Sequence, residues 1–191
     1  DAGNGVVVFG SADASIYGVD AKSGQLRWKM ETPKAVLGAV TIQKGIAYVG
    51  GSSGSFYAID VKTGRLQWEF TGVKGYIETK PLVYGDKVIF GAWDNNLYAL
   101  EKSTGRKLWS WDAGLTRMHF SPAAVWPVAA AGNVYVTAPD RVMSAIDLQS
   151  GQTVWRTKQS VVRETIGLSA DSKQLYSKTM QDSLVCYATG P

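Results

Sequence analysis

The chain has 191 residues, of which 45% are hydrophobic and 19% charged, and it contains 21 glycines. This composition suits one folded domain and excludes intrinsic disorder, which requires few apolar residues. The net charge is only +4, and the 20 basic residues are spread among 16 acidic ones, whereas nucleic-acid-binding proteins cluster theirs. No apolar run is long enough for a membrane-spanning helix. We therefore expect a globular domain without a nucleic-acid partner or a membrane span.

A nine-residue pattern occurs four times along the chain. In each copy an acidic residue precedes a serine or threonine by three positions, a glycine by four and a tryptophan by eight. The acidic residue, glycine and tryptophan of the four copies are Asp20, Gly24 and Trp28; Asp60, Gly64 and Trp68; Glu101, Gly105 and Trp109; and Asp147, Gly151 and Trp155. The tryptophans are 40, 41 and 46 residues apart, and a period of this length indicates a repeat architecture.

The first half of the pattern predicts a tight turn. The acidic side chain can accept hydrogen bonds from backbone N–H groups two or three residues ahead. The glycine can adopt the positive φ that other residues resist. Because such turns join antiparallel strands, each repeat is predicted to contain a hairpin with the tryptophan on its second strand.

Each predicted hairpin begins with a strand that carries a small residue. These strands cover residues 16–20, 56–60, 97–101 and 143–147, and the small residues are Gly18, Ala58, Ala99 and Ala145. A small residue beside a tryptophan suggests a pocket in which a ring from the neighbouring repeat docks. Each buried indole removes roughly 150–250 Å² from water, so four could supply much of the contact between repeats.

Two further strands are predicted before each hairpin. The nearer ones cover residues 6–10, 46–50, 88–91 and 134–137, and the farther ones lie within 36–42, 77–84 and 123–129. Four short antiparallel strands in a period of about 40–45 residues form a β-propeller blade. No segment shows sustained helical periodicity. The sequence therefore predicts an all-β propeller of four-stranded antiparallel blades over residues 1–191.

The predicted blades number four to five. They cover about 5–31, 36–71, 77–112, 120–158 and 162–191, of which the first and last are partial. The first is predicted to lack its innermost strand and the last its tryptophan-bearing strand. Known propellers have 4–8 blades. The chain is thus part of a larger ring, one of two copies that complete each other, or a small atypical ring, and the sequence leaves these alternatives open.

The small residue, the acidic residue, the Ser/Thr-Gly pair and the tryptophan together resemble the tryptophan-docking motif of the PQQ-like (pyrroloquinoline quinone-like) β-propeller repeat. The resemblance covers nearly the whole chain. It implies one of two functions. One branch of the family resembles quinoprotein alcohol dehydrogenases, which bind the quinone and Ca²⁺ on the axis of an eight-bladed ring. The other branch is non-catalytic and includes envelope lipoproteins and propeller modules appended to other proteins.

The residues that the enzyme branch requires are not found in this sequence. Its members typically have two adjacent cysteines over the cofactor, whereas Cys186 is the single cysteine here. Cys186 falls in the column of small residues, where we expect it to be buried as a small hydrophobe. No stretch reproduces the Glu and Asn that bind Ca²⁺ or the catalytic Asp. We therefore expect no catalytic residue, no PQQ, no Ca²⁺ and no other bound metal.

Two short motifs are better explained as turns. Asp94, Asn95 and Asn96 offer oxygen ligands, but they lie between two predicted strands, where Asp and Asn are ordinary. Residues 50–54 match G-x-S-x-G, yet a nucleophile elbow requires a strand-to-helix turn. Here a strand follows, so we expect neither a metal site nor a hydrolase.

The loops predicted near the central channel supply the candidate binding face. They include an enlarged connection of residues 114–127, with the single histidine of the chain. The candidate residues are Lys74, Tyr76, Glu78, Arg117, His119, Trp126, Arg163 and Glu164. Arginine and aromatic side chains are favoured anchors of protein interfaces. The alternative is that these residues are ordinary polar groups and packing rings of the channel.

The sequence thus predicts a non-catalytic scaffold for protein–protein interaction or ligand sensing in the bacterial cell envelope. The periplasmic or cell-surface location follows from the family resemblance alone. A protein partner, self-association or further blades of a larger parent protein would each fit. The alternative is a fragment of a PQQ- and Ca²⁺-dependent dehydrogenase whose cofactor site lies outside this chain. The sequence identifies neither the partner nor the face that binds it.

Overall fold

The computed structural model describes residues 1–112, 114, 126–137, 140–157, 162–179 and 183–190, with only the backbone described for 162–165. Within these ranges the chain forms 19 β-strands in five antiparallel sheets. Their secondary structure includes no helix that could cross a membrane. The predicted all-β propeller architecture is confirmed.

The sheets follow one another along the chain and are called blades 1 to 5. Blade 1 contains β1 (Ala2–Gly3), β2 (Val6–Ser11), β3 (Ser15–Asp20) and β4 (Leu26–Glu31). Blade 2 contains β5 (Thr41–Gln43), β6 (Ile46–Gly50), β7 (Phe56–Asp60) and β8 (Leu66–Phe70). Blade 3 contains β9 (Leu82–Tyr84), β10 (Lys87–Gly91), β11 (Asn96–Glu101) and β12 (Lys107–Asp112). Blade 4 contains β13 (Val128–Ala130), β14 (Asn133–Thr137), β15 (Met143–Asp147) and β16 (Thr153–Thr157), and blade 5 contains β17 (Val162–Leu168), β18 (Gln174–Thr179) and β19 (Leu184–Ala188).

Blade 1 has the innermost strand that the sequence analysis did not predict. Ala2 and Gly3 pair with Val7 and Val6 in an antiparallel register. The prediction was wrong because a two-residue strand of alanine and glycine has no apolar alternation to reveal it. Blade 5 has three strands in the part of the chain that the structure describes.

Successive blades contact each other through their first strands. Strand β5 packs beside β1 and β9, and β13 packs beside β9 and β17. The innermost strands therefore follow each other in chain order along the inner side of the array. Lys74, Tyr76 and Glu78 lie in the connection that leads into one of these strands, β9.

The core consists of layers between neighbouring blades. Ala47, Val49 and Ile59 of blade 2 are buried against blade 1, while Tyr48 and Phe56 on the opposite face are buried against blade 3. A strand that is buried on both faces carries a continuous apolar run. This explains why the middle strands of the blades do not show a clean alternation of apolar and polar residues.

One hydrogen bond that recurs in the turns is missing from blade 2. Tyr17 donates to Asp13 Oδ2 at 2.5 Å in blade 1, and Tyr98 donates to Asp94 Oδ2 at 2.6 Å in blade 3. The equivalent residues of blade 2 are Tyr57 and Ser53. Among the described residues, neither of their hydroxyl groups has a partner, although Tyr57 is only 3% exposed.

Replacing Ser53 by aspartate is therefore expected to stabilise the fold. The carboxylate would accept the hydrogen bond of the Tyr57 hydroxyl, as in blades 1 and 3, and would raise the free energy of unfolding by about 1 kcal/mol. Urea unfolding measures this change. The gain should disappear in Ser53→Asp/Tyr57→Phe compared with Tyr57→Phe, and a gain that persists there would contradict the explanation.

Candidate functional site

Three repeat tryptophans each donate a hydrogen bond to the next blade. Trp28 Nε1 donates to the Val61 carbonyl at 2.9 Å. The equivalent bonds join Trp68 to Lys102 at 3.0 Å and Trp109 to Leu148 at 3.1 Å. In each case the acceptor belongs to the residue that follows the acidic residue of the motif. The turn of one blade is thus the docking site for the tryptophan of the preceding blade.

The glycine of each docking turn lies directly under the indole ring. A Cβ added at Gly64, Gly105 or Gly151 would lie 2.6, 2.5 or 2.7 Å from a ring atom. The same glycines have φ values of 72°, 74° and 71°, which other residues adopt only with strain. Glycine is therefore required both by the backbone conformation and by the contact with the ring.

The column of small residues serves a different purpose from the one predicted. A Cβ at Gly18 would overlap the ring of Trp28, which belongs to the same blade. Likewise, Ala58 is the cross-strand partner of Trp68 within blade 2. The small residue accommodates the tryptophan of its own blade, and the neighbouring blade supplies the turn. The predicted pocket for a neighbour's ring is wrong in this respect.

The acidic residue of the motif organises the docking turn. Asp60 Oδ1 accepts hydrogen bonds from the Thr63 hydroxyl at 2.7 Å and the Thr63 N–H at 2.8 Å. Asp147 accepts the equivalent bonds from Ser150, both at 2.7 Å. These bonds to threonine or serine hold the pKa of both carboxyls below its usual range, because they stabilise the ionised form.

The lowered pKa values predict a loss of stability in acid. A carboxyl whose pKa is lower in the folded than in the unfolded state stabilises the fold above its unfolded pKa, about 3.9 for Asp. That contribution disappears as the pH falls below this value. Urea unfolding at pH 7 and pH 3 should show a smaller pH dependence in Asp147→Asn than in the unmodified chain. Glu69→Gln, at an exposed position of β8, is the control, and an equal reduction there would contradict the prediction.

Cys186 occupies the predicted register but is exposed. It pairs with Tyr176 on the neighbouring strand, as Ala58 pairs with Tyr48 in blade 2. In blades 1 to 4 a fourth strand pairs with the strand that carries the small residue. In the described part of blade 5 there is no such strand. The expectation that Cys186 is buried is therefore wrong.

The structure describes the side chains of four of the eight predicted binding-face residues. Arg117 and His119 lie outside the described residues, and only the backbone of Arg163 and Glu164 is described, within β17. Lys74, Tyr76 and Glu78 lie in the connection between blades 2 and 3, and Trp126 precedes blade 4.

Tyr76 and Glu78 meet a third side chain, Trp93, which lies in the turn between β10 and β11. The rings of Tyr76 and Trp93 lie 6.1 Å apart at an angle of 57°. Trp93 Nε1 donates to Glu78 Oε2 at 3.1 Å. Although they contact each other, the two aromatic side chains remain 49% and 46% exposed. We call Tyr76, Glu78 and Trp93 the aromatic ridge.

Backbone hydrogen bonds hold the two loops of the aromatic ridge together. The Trp93 N–H donates to the Tyr76 carbonyl at 2.9 Å, and the Lys74 N–H donates to Asp94 Oδ2 at 3.1 Å. Asp94 Oδ1 also accepts a hydrogen bond from the Asn96 N–H in its own turn. Asp94 thus has a structural role, consistent with its interpretation as a turn residue.

The same loop contact occurs one blade earlier without the aromatic side chains. There the Ser52 N–H donates to the Ala35 carbonyl at 2.8 Å. Ala35 and Ser52 are the equivalents of Tyr76 and Trp93, and Leu37 is the equivalent of Glu78. The scaffold therefore forms this junction without large rings. This comparison between repeats is also the sequence signal that could have identified Trp93.

Trp126 lies beside a cavity that adjoins the aromatic ridge. The ammonium group of Lys80 lies 5.4 Å from the centre of the Trp126 ring, a distance typical of a cation–π contact. Both residues line a cavity of about 350 Å³, together with Gly38 and residues of β2. A Cβ at Gly38 would lie 3.5 Å from the Glu78 Cα, so Gly38, which lines the cavity, also lies close to the backbone of Glu78.

The described part of the chain does not assemble a recognisable metal centre. It contains no group of three or more His, Cys, Asp or Glu side chains that could hold a metal ion. What the site offers chemically is aromatic surface, one carboxylate that a tryptophan holds in place, and nearby lysines. Of these groups, the aromatic side chains are the ones enriched at protein interfaces, where polar groups form the rim.

Comparison with known proteins connects this fold to one family. The family model described as outer membrane protein assembly factor BamB matches residues 2–118. The outer membrane protein assembly factor BamB of Francisella salina is 30% identical over 80 residues, which cover 41% of this chain and 14% of that protein.

Two solved structures share the fold at low sequence identity. The BamB crystal structure from Moraxella catarrhalis has a TM-score of 0.76 and 20% identity, and the match covers 96% of this chain and 57% of that one. The computationally designed Ika8 protein has a TM-score of 0.79 and 18% identity, with coverage of 98% and 57%. The chain thus spans little more than half the length of these solved chains.

Proposed function

Because the chain belongs to the family of outer membrane protein assembly factor BamB, we propose that it is a non-catalytic propeller scaffold that binds protein in the bacterial cell envelope. The relatives are named for outer membrane protein assembly. We extend that role to this chain and place it in the periplasm. PQQ and Ca²⁺ have no part in the proposed function.

The observation that carries the proposal is the exposure of the aromatic ridge. At the equivalent junction one blade earlier, alanine and serine make the same backbone contact. Large rings are therefore not needed to form the junction. Exposed tyrosine and tryptophan are enriched at the centres of protein interfaces, where they contribute most of the binding energy. The aromatic ridge is accordingly the contact surface that we assign to the partner.

The surroundings of the aromatic ridge suit a protein partner. The Trp93 ring is fixed by Glu78 and by the backbone bond to Tyr76, so little side-chain freedom is lost on binding. Lys74 is exposed beside it, and Lys80 and Trp126 line the cavity that Gly38 also lines. An apolar centre with a charged rim is the usual anatomy of a protein interface.

Binding to the assembly machinery tests the proposal. The probe is purified outer membrane protein assembly machinery from Moraxella catarrhalis, freed of its own BamB. We expect Tyr76→Ala/Trp93→Ala to raise the Kd at least tenfold, because such anchors contribute 2 kcal/mol or more. Leu66→Ala, which removes an exposed side chain from β8, should leave the Kd unchanged.

The same variants must keep their fold for this comparison to be valid. Both lose exposed side chains, so their urea unfolding midpoints should stay close to that of the unmodified chain. Equal affinity for the double variant and the unmodified chain would overturn the assignment of the aromatic ridge. No binding by any of the three would overturn the proposed role in assembly.

A further inference from the structure

A cavity of about 210 Å³ lies beside the docking tryptophan of blade 2. Its lining includes the apolar or aromatic side chains of Ile46, Tyr48 and Trp68 and the basic residues Lys44 and Lys102. None of the residues around this cavity belongs to the aromatic ridge. The cavity is therefore a separate feature of the molecule, between blades 2 and 3.

A lysine occupies the equivalent position between blades 3 and 4. Lys87 pairs with the acidic residue of its repeat, Glu101, as Ile46 pairs with Asp60. The Lys87 side chain is buried, and its ammonium group donates to Gln149 Oε1 of the next blade at 3.1 Å. Isoleucine is shorter and has no donor, so the space between blades 2 and 3 stays open.

The docking tryptophan beside the cavity is less buried than two of its equivalents. Trp28 and Trp109 are 9% and 8% exposed, whereas Trp68 is half-buried. Trp68 still donates its hydrogen bond to the next blade, so the open part of its ring is not needed for docking. The ring of Tyr48 lies 6.0 Å from that of Trp68. An aromatic ligand could make the tilted or offset contacts with these rings that aromatic pairs prefer.

The hydroxyl group of Tyr48 has no hydrogen-bond partner in the described part of the chain, although the residue is only 3% exposed. Its equivalent in blade 4 is Tyr135, since each pairs with the small residue of its blade. The Tyr135 hydroxyl donates to the Thr189 carbonyl at 2.5 Å. Burial raises the pKa of Tyr48, so its hydroxyl stays protonated at neutral pH and is available as a donor. A donor of this kind beside a cavity favours a ligand that supplies an acceptor.

The charge of the cavity favours an anionic ligand. Lys44 is exposed in the turn before β6, and Lys102 is half-buried. The Lys102 ammonium group donates to Gln43 Oε1 at 3.2 Å and to the Gly85 carbonyl at 2.6 Å, and both of these acceptors are neutral. The carboxylate of Asp86, in the same turn as Gly85, is already paired with the lysine that follows it. The described residues that line the cavity include no acidic side chain.

We propose that this cavity binds a small aromatic carboxylate, with one ring and one carboxyl group. The ring packs against Ile46 and Trp68. The carboxylate accepts the hydrogen bond of the Tyr48 hydroxyl and lies near the ammonium groups of Lys44 and Lys102. The size is suitable, because a protein cavity of about 150 Å³ can hold benzene, and about 210 Å³ leaves room for the carboxyl group as well.

Titration with benzoate tests the proposal. Benzoate is added to the ¹⁵N-labelled chain, and NMR follows the amide signals of Lys44 and Ser103 and the indole N–H signal of Trp68. We expect saturable shifts with a Kd of about 1 mM, a modest affinity for so small a ligand. Benzamide has the same ring without the charge and should bind about fivefold more weakly or worse. Equal affinity for the two probes, or no saturable shift at these signals, would overturn the proposal.

Two hydroxyl deletions provide a matched comparison. Tyr48→Phe removes the proposed donor to the carboxylate and should raise the benzoate Kd about tenfold. Tyr57→Phe removes a hydroxyl of the same blade that also lacks a partner among the described residues. Tyr57 does not line the cavity, so this change should leave the Kd as it is. Equal effects of the two substitutions would contradict the role of Tyr48.

A variant with a filled cavity provides a second test. Gln149 and Ser103 each lie two residues after the acidic residue of their repeat, so Ile46→Lys/Ser103→Gln introduces the pair of side chains that bridges blades 3 and 4. We expect this variant to lose the benzoate shifts, and an unchanged Kd would contradict the location of the site. If the double variant does not fold, the conservative Tyr48→Phe comparison still decides the question.

Competition distinguishes a free ligand from a side chain of a protein partner. Assembly machinery added to the chain saturated with benzoate should leave the benzoate shifts at Lys44 and Ser103 in place, because the aromatic ridge shares no residue with the cavity. Displacement of benzoate would show that the partner occupies the cavity and would overturn the assignment to a small ligand. This result is independent of whether Tyr76→Ala/Trp93→Ala weakens partner binding, so the two proposals can fail separately.

Discussion

Replacing Trp109 by alanine is expected to lower the free energy of unfolding by about 3–5 kcal/mol, the usual cost of truncating a buried tryptophan. Trp109 is 8% exposed. It donates to the Leu148 carbonyl and covers Gly151. Its removal leaves a cavity between blades 3 and 4 and an acceptor without its donor. Urea unfolding followed by circular dichroism measures the change.

Two further substitutions separate the contributions to this loss. Trp109→Phe keeps an aromatic ring but removes the N–H donor, so it should cost less than Trp109→Ala by 1 kcal/mol or more. Trp93→Ala removes an exposed ring and should change the free energy of unfolding by no more than about 1 kcal/mol. Losses of similar size for Trp93→Ala and Trp109→Ala would contradict the role of the docking tryptophans.

Replacing Gly64 by alanine is expected to destabilise the chain far more than replacing Gly24, although both have a φ near 70°. The left-handed conformation costs about 1–2 kcal/mol at either position. At Gly64 the added Cβ would lie 2.6 Å from the ring of Trp28, whereas at Gly24 it meets nothing within 4 Å. The clash should add about 1–3 kcal/mol at Gly64.

This pair of variants isolates the inter-blade contact from the backbone strain. The difference between the two unfolding free energies, both measured in urea, is the contribution of the ring contact. The difference should disappear in the Trp28→Ala background, because no ring then lies above Gly64. Equal losses for Gly64→Ala and Gly24→Ala in the unmodified chain would show that only the backbone conformation matters.

The sequence was sufficient to predict the blades because each repeat contains the residues that define its turn and its strands. The acidic residue, the glycine and the tryptophan recur at fixed spacing, so the strands between them could be assigned in register. The period cannot show which blade each ring contacts. Gly18 and Gly64 both lie against Trp28, one from its own blade and one from the next, and only the packing distinguishes them.

The features that sequence reasoning missed depend on contacts between distant segments. Strand β1 is defined by its pairing with β2 and not by an apolar pattern of its own. Cys186 was predicted to be buried from its register, yet its burial depends on a neighbouring strand. The aromatic ridge joins Tyr76 to Trp93 across two loops. The strand and register of a residue are thus easier to predict from sequence than the contacts that bury it.

In the proposed function, the residues that stabilise the fold are separate from those that bind the partner. The docking tryptophans and glycines lie between blades, where Trp28 and Trp109 are buried, so changes there are expected to destabilise the fold. The aromatic ridge is built on a loop contact that also forms with alanine and serine one blade earlier. Its side chains are therefore free to serve a partner. The proposed binding residues thus lie on loops that a rigid scaffold positions, which is the usual arrangement.

Hydrogen exchange of the chain bound to purified assembly machinery is the most direct test of the central claim that the aromatic ridge binds a protein partner. Complex formation should slow exchange at backbone amides of residues 73–80 and 91–96, which form the two loops of the ridge. Amides of β8 (Leu66–Phe70), on the fourth strand of blade 2, should be unaffected. Protection confined to β8 and the other fourth strands, or no change at the ridge on binding, would contradict the account.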